Sequence, residues 1–537
     1  MRSSTKNNLL IAACYALALT LGMIIGPKFS RDNTSNKNGS FFYGGTGTGS
    51  VKIEKVLEII QDNYVDEVKT DTLQASAIEE ILSHLDPHSH YLPPTESNYL
   101  NEDLEGEFNG IGIEYNLVND TLLVTYVNET GPAHKAGIKS GDQILKIDKR
   151  AIAGSGIKKS EIVDLIRGRR GTGIDLLVKR MSNPARLIHV IRDRITVSSI
   201  DIAYMLTNST GYIKISKFGA NTDKDFIAAL SSLQSRGMKN LVLDLRENGG
   251  GYLNAATAIA DQFLKDNQLI VFTQGKHEPR TNYTATGKGK FEKGKLVVLI
   301  DENSASASEI LAGAIQDLDR GTIIGRRSFG KGLVQEQFNF SDGSTMNLTV
   351  ARYYTPSGRS IQKPYSKGAE AYYSEVNRRY ENGELKSDGK HLPDSIFDRN
   401  KTYKTASGRL IYGGGGIMPD IYVPIDTSAY TDFYYEVSAR GLLEEFLFKY
   451  LVKEFNFSNP AQYLKSFTVS DTTYNKIISL AYSKGIKAGK KVVELSRPAI
   501  NKELKALLGR YYFGNDMYYQ VINDSDRVIA RSLAVLN

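Results

Sequence analysis

Three serines and one lysine are the residues of this 537-residue chain best suited to chemistry. The serines stand in Asp301-Glu302-Asn303-Ser304-Ala305-Ser306-Ala307-Ser308-Glu309, and the lysine in Ser328-Phe329-Gly330-Lys331-Gly332-Leu333-Val334-Gln335. Residues 296–300 read as a buried strand, and residues 309–317 place Ile310, Leu311, Ala314 and Ile315 on one helical face. A hydroxyl at such a strand-to-helix junction is exposed and lies near the N–H groups of a helix N-terminus, which suits developing negative charge. The same serines also serve as N-cap residues, with Glu309 closing a capping box behind Ser306. Lys331 lies between two glycines, which let the backbone pass close to another element. A lysine desolvated there loses its proton near neutral pH rather than near its ordinary pKa of about 10.4, and a neutral amine is a competent general base for a serine hydroxyl.

Ser304-Ala305-Ser306-Ala307-Ser308-Glu309-Ile310, followed by Phe329-Gly330-Lys331-Gly332 and then Gln335, resembles the active site of the carboxyl-terminal processing proteases, the tail-specific serine peptidases of family S41. In that family the nucleophile stands 25 positions before the lysine, so the resemblance implies Ser306 as nucleophile, Lys331 as base and Gln335 as the residue that orients the lysine. Ser304 and Ser308 become structural neighbours. Glu247-Asn248-Gly249-Gly250-Gly251 occupies the place of the family's Asn-Pro-Gly-Gly, with Gly249 where the proline stands. The resemblance implies an oxyanion hole made by the N–H of Ala307 and one from Gly250 or Gly251; loss of one such donor typically costs about 3 kcal/mol. Three glycines also suffice for a tight turn. The implied activity is serine endopeptidase, with no metal and no organic cofactor.

The elements needed to hold these residues are legible around them. Residues 211–215 alternate like a strand, residues 223–235 form an amphipathic helix, and residues 241–246 form a buried strand that ends in the glycines, so a parallel crossover is expected. Between Glu107 and Arg194 short strands with glycine punctuation resemble a circularly permuted PDZ domain. Gly110, Ile111, Gly112 and Ile113 then correspond to its carboxylate-binding loop, and residues 161–166 to the helix beside the peptide groove. Arg167, just after that helix, matches an arginine that in some relatives couples the PDZ domain to the active site. Asp86-Pro87-His88-Ser89 reads as a turn with locally bonded side chains in preference to a catalytic His88. Residues 355–362 and 416–420 resemble late motifs of the family.

Composition excludes several classes. One cysteine, Cys14, and seven scattered histidines build neither a disulfide framework nor a zinc site, and a formal charge of +7 without a basic run implies no nucleic acid. Residues 325–331 fit seven positions of a phosphate loop, but Gly332 stands where Ser or Thr should hold magnesium. The expected fold is mixed α/β and multidomain. Its parts are a signal anchor over 1–26, a flexible linker over 27–50, an N-terminal helical region over 51–104, a PDZ domain over 105–195, a protease core over 196–425 and a helical C-terminal extension over 426–537 without an assigned role. The apolar run of residues 9–25 behind Arg2 and Lys6 suits a membrane tether, with the catalytic part exported to the periplasm of a bacterial cell envelope; a lipidated Cys14 is the alternative. Partners expected are protein or peptide substrates with exposed apolar C-termini, while an adaptor protein and a homodimer stay open. The rival reading is a non-catalytic PDZ scaffold on the same fold.

Overall fold

The run Leu296–Ile300 is buried at every position, a pattern that suits a strand covered on both faces. It lies inside a six-stranded sheet whose order is Ile200–Met205, Thr210–Ile215, Asn240–Asp244, Leu296–Ile300, Thr322–Gly325 and Ile421–Tyr422. The first pair is antiparallel and all others are parallel, as the crossover through helix Thr222–Ser235 requires. Alternation along the strands divides the core in two. Ile213, Leu243, Val298 and Ile300 face helices Thr222–Ser235, Leu253–Asp261 and Ala307–Asp317, whereas Tyr212, Val242, Val297 and Leu299 face Val528, Ile529 and Leu536 of the last helix, Arg527–Leu536. The C-terminal extension thus supplies the second cover of the sheet, a role its sequence did not disclose.

The computed structural model describes residues 49–180, 183–386 and 401–537, so the anchor over 1–26, Cys14 and nearly all of the 27–50 linker lie outside the described residues. Among the described residues no helix is long and apolar enough to cross a membrane. Helix Gly49–Asn63 belongs to a separate N-terminal unit. Helix Thr70–Ser83 follows it, so the 51–85 stretch contains the two helices its spacing predicts.

A second sheet holds the hairpin Leu333–Asn339 and Thr345–Tyr354, which carries Gln335, with His90–Leu92 and Leu269–Gln274 on the far side of the long strand. The PDZ sheet runs Ile113–Val118, Thr121–Val127, Asp142–Ile147, Gly173–Arg180 and Arg186–Ile191, closed by helix Lys159–Ile166. Its first strand has one neighbour only and so presents a free edge. The outer face of that domain shares a core with the C-terminal helices: Val118 and Leu123 pack with Phe446 and Leu447, and Arg510 holds Glu114 through two hydrogen bonds of 3.0 and 2.8 Å.

Candidate active site

Strand Leu296–Ile300 delivers the chain to Asp301, whose Oδ1 accepts N–H bonds from Glu247, Asn303 and Ser304 at 3.0 to 3.1 Å. Two of the three serines are spent on this joint. Ser304 Oγ donates to Leu245 O and Ser308 Oγ to Asn248 O, both at 2.8 Å, and both residues are buried. Ser306 is half-buried, and its hydroxyl, unlike those two, donates to no carbonyl among the described residues. Its backbone sits at φ 54°, ψ −113°, a region that costs a non-glycine residue about 1–3 kcal/mol and is held only by surrounding structure. A strained serine between strand and helix is the geometry of a nucleophile aimed out of a turn.

That surrounding structure is Glu309. Its carboxylate is fully buried; Oε2 accepts the N–H of Ser306 at 2.9 Å and that of Lys331 at 2.8 Å, while Oε1 accepts Gly330 N–H at 2.8 Å and Ser328 Oγ at 2.5 Å. Burial raises its pKa from 4.5 to about 7 against the pull of those four donors. Tyr353 closes the other side: its hydroxyl lies 3.1 Å from Ser306 O and 2.5 Å from Lys331 O. The serine turn and the lysine loop are therefore joined by one carboxylate and one phenol. Glu309 was legible as half of a capping box, but its grip on the lysine loop was not, and nothing local marks Tyr353.

Burial lowers the Lys331 pKa, with Asp86 and Glu309 opposing. Its ammonium makes no hydrogen bond to any described residue, Ser306 Oγ included. Gln335 does not reach it either. In the hairpin register Gln335 stands opposite Thr349, and its amide donates to Thr349 Oγ1 at 3.1 Å. Asp86 forms the expected turn, accepting from His88 N and Ser89 N at 2.8 and 3.0 Å and from Ser89 Oγ at 2.7 Å. His88 is buried, its Nε2 2.8 Å from Tyr372 Oη, and burial with the nearby Lys331 charge lowers its pKa to about 3. It is an uncharged wall of the site.

The glycine turn lies directly against the serine. A Cβ on Gly250 would sit 2.8 Å from Ser306 Cβ and 2.9 Å from Ala305 O. Gly250 N–H is committed to Asn248 Oδ1 at 2.9 Å, and Asn248 is in turn anchored on Ile215 O. Gly251, at φ 138°, touches Phe218 so closely that a Cβ would fall 2.2 Å from its carbonyl oxygen. Among the described residues the N–H groups of Gly251 and Ala307 have no partner.

In the PDZ domain Gly110 ends the strand Glu107–Gly110, and Gly112 turns at φ 77° into the free edge strand that Ile113 begins. The Ile111 and Gly112 carbonyls are bonded to Ala133 and Asn128, leaving the Ile111 and Gly112 N–H groups without partners among the described residues. Arg167 pairs with Glu102 and stacks on Tyr99 and Phe108, at 4.6 and 4.7 Å from their ring centres. It touches no residue of the serine turn or the lysine loop.

Comparison with known proteins agrees with this architecture. Residues 209–369 match the family described as "Peptidase family S41", residues 123–180 match "PDZ domain", and residues 433–514 match "Family of unknown function (DUF8443)". The chain is 37% identical over 312 residues to the carboxy-terminal-processing protease of Bartonella bacilliformis, covering 57% of this chain and 71% of that protein. It is 32% identical over 364 residues to the probable CtpA-like serine protease of Staphylococcus epidermidis, covering 67% and 72%. Among solved structures, the photosystem II D1 C-terminal processing protease aligns at 28% identity over 59% of this chain and 91% of that one, with a TM-score of 0.35. The chain belongs to peptidase family S41 and is a carboxy-terminal-processing serine protease that carries a PDZ domain.

Proposed function

We propose that the chain cleaves exported proteins near their C-termini with Ser306 as nucleophile and Lys331 as general base. The observation that carries this reading is that a single oxygen, Glu309 Oε2, accepts the backbone N–H groups of both residues, so the strained serine and the desolvated lysine are held to one point. A chain with an exposed apolar C-terminus adds as a strand along Ile113–Val118, its carboxylate meeting the N–H groups of Ile111 and Gly112. Neutral Lys331 takes the Ser306 hydroxyl proton as Oγ attacks the scissile carbonyl, and the resulting ammonium returns that proton to the leaving amine. The N–H groups of Ala307 and Gly251 receive the oxyanion; Gly250 contributes the close approach, since its own N–H is bound by Asn248. Water then hydrolyses the acyl-enzyme. Export is supported by the apolar stretch behind Arg2 and Lys6.

The test compares the wild type with Lys331→Ala on an unstructured peptide ending in apolar residues, following fragments by mass spectrometry. Cleavage by the wild type that is lost in the variant is expected. Equal cleavage by both proteins refutes the Ser-Lys mechanism.

A further inference from the structure

The loop from Arg327 to Lys331 has two polar sides, and a buried charge stands on each, beside the neutral partners Ile417 O and Ser304 O for the N–H groups of Ser328 and Phe329 and the Lys363 N–H and Tyr353 hydroxyl for the carbonyls of Gly330 and Lys331. Its N–H side rests on Glu309. On its carbonyl side stands Arg379 of helix Glu375–Glu381, 1% exposed, whose Nη1 donates to Arg327 O and Ser328 O at 2.9 Å each and whose Nη2 lies 3.4 Å from Phe329 O. Its Nε donates to Glu375 Oε1 at 2.8 Å, and Glu375 also pairs with Arg327 at 3.1 Å and Lys363 at 3.3 Å. Lys363 completes the enclosure: its N–H donates to Gly330 O at 2.9 Å, and its ammonium lies 3.7 Å from the centre of the Phe329 ring. Three successive carbonyls and a carboxylate are served by one planar, five-donor fork, a task a lysine's point charge cannot perform. Helix Glu375–Glu381 lies beyond residue 369, where the match to the peptidase family ends.

We propose that Arg379 is a positioning residue for the peptidase reaction: by holding the carbonyls of Arg327, Ser328 and Phe329 it sets where the Lys331 amine stands relative to Ser306. The proposal rests on the Ser306–Lys331 reading above. Carboxylate and guanidinium act as a vice, one on the loop's donors and the other on its acceptors. Removing the guanidinium frees the carbonyls of Arg327, Ser328 and Phe329, so that the loop's carbonyl side stays tied only at Gly330 O by Lys363 N–H and at Lys331 O by the Tyr353 hydroxyl, and a displacement of the amine by about 1 Å is enough to cost about 100-fold in rate. Substrate capture in the PDZ groove is untouched.

The test measures kcat and KM of the full-length wild type, Arg379→Ala, Arg379→Lys and Lys331→Ala on one peptide ending in apolar residues, with thermal melting of each. Expected are a kcat about 100-fold lower in Arg379→Ala at a KM within about twofold of the wild type, and a smaller loss of kcat in Arg379→Lys. A fall in kcat of less than tenfold in a folded Arg379→Ala, or a loss confined to KM, overturns the proposal. If Arg379→Ala does not fold, Arg379→Lys decides, and an unchanged kcat there overturns it equally. Wild-type cleavage by Lys331→Ala removes the dyad reading and this proposal with it, whereas an inactive Lys331→Ala beside a fully active Arg379→Ala removes only the proposal.

Discussion

Replacing Glu309 separates the carboxylate's charge from its role as a shared acceptor. Glu309→Gln keeps one acceptor oxygen, and the side chain orients it toward the N–H groups of Ser306 and Lys331, because the opposite pair is the more adaptable. Ser328 Oγ, which already accepts the Ile417 N–H at 2.6 Å, can accept from the new amide NH2 as well, which leaves its own O–H and the Gly330 N–H without the acceptor they had. That conflict costs about 1–3 kcal/mol. Against it, burial raises the Glu309 pKa from 4.5 to about 7, so the wild type carries stability that is fully present below pH 4.5 and lost as pH rises through 7. The loss amounts to about 3 kcal/mol, and glutamine does not undergo it. Urea unfolding at pH 5 and at pH 8 should therefore show the stability difference moving by about 2–3 kcal/mol in favour of Glu309→Gln. In activity, Glu309→Gln should keep kcat within about tenfold, while Glu309→Ala, which releases the N–H groups of Ser306 and Lys331, should lose about 100-fold or more. A pH dependence identical in wild type and Glu309→Gln refutes the assignment of a buried titrating carboxyl. Glutamine as inactive as alanine refutes the shared-acceptor argument.

Activity should rise with pH as Lys331 loses its proton, because burial holds its pKa below the ordinary 10.5 and only the neutral amine accepts the serine proton. The kcat/KM profile checks this, and a limb centred at 10.5 or above contradicts it. Gly251→Ala should lower kcat by about 100-fold or more at near-constant KM, since its Cβ would fall 2.2 Å from Phe218 O and displace the free N–H of the turn. Gly249→Ala serves as the control: with no atom within 4 Å of its Cβ, it should cleave like the wild type, and equal damage in both variants would show that the turn's contacts do not matter.

Periodicity and punctuation make most of the core legible in the sequence. The buried run at Leu296–Ile300 and the helical face of Ile310, Leu311, Ala314 and Ile315 appear where spacing places them, because each buries side chains on faces that local sequence alone defines. The candidate site was marked in the sequence at Ser306 and Lys331, the glycine turn and the edge of the PDZ domain, since the proposed nucleophile and base and the close backbone approaches each need particular residue types. What only the tertiary structure decided is how these parts are joined. Glu309 reaches a loop 22 residues on, Gln335 faces Thr349 through a hairpin register, Arg379 grips carbonyls that lie 50 to 52 residues before it, and the last helix covers the back of the sheet that carries the candidate site. Amphipathic spacing shows that a helix has a buried face but not what it is buried against, and a buried charge has no periodicity at all. Its partners come from elements brought together only when the core closes, so their pairing is a property of the fold and not of any window of the chain.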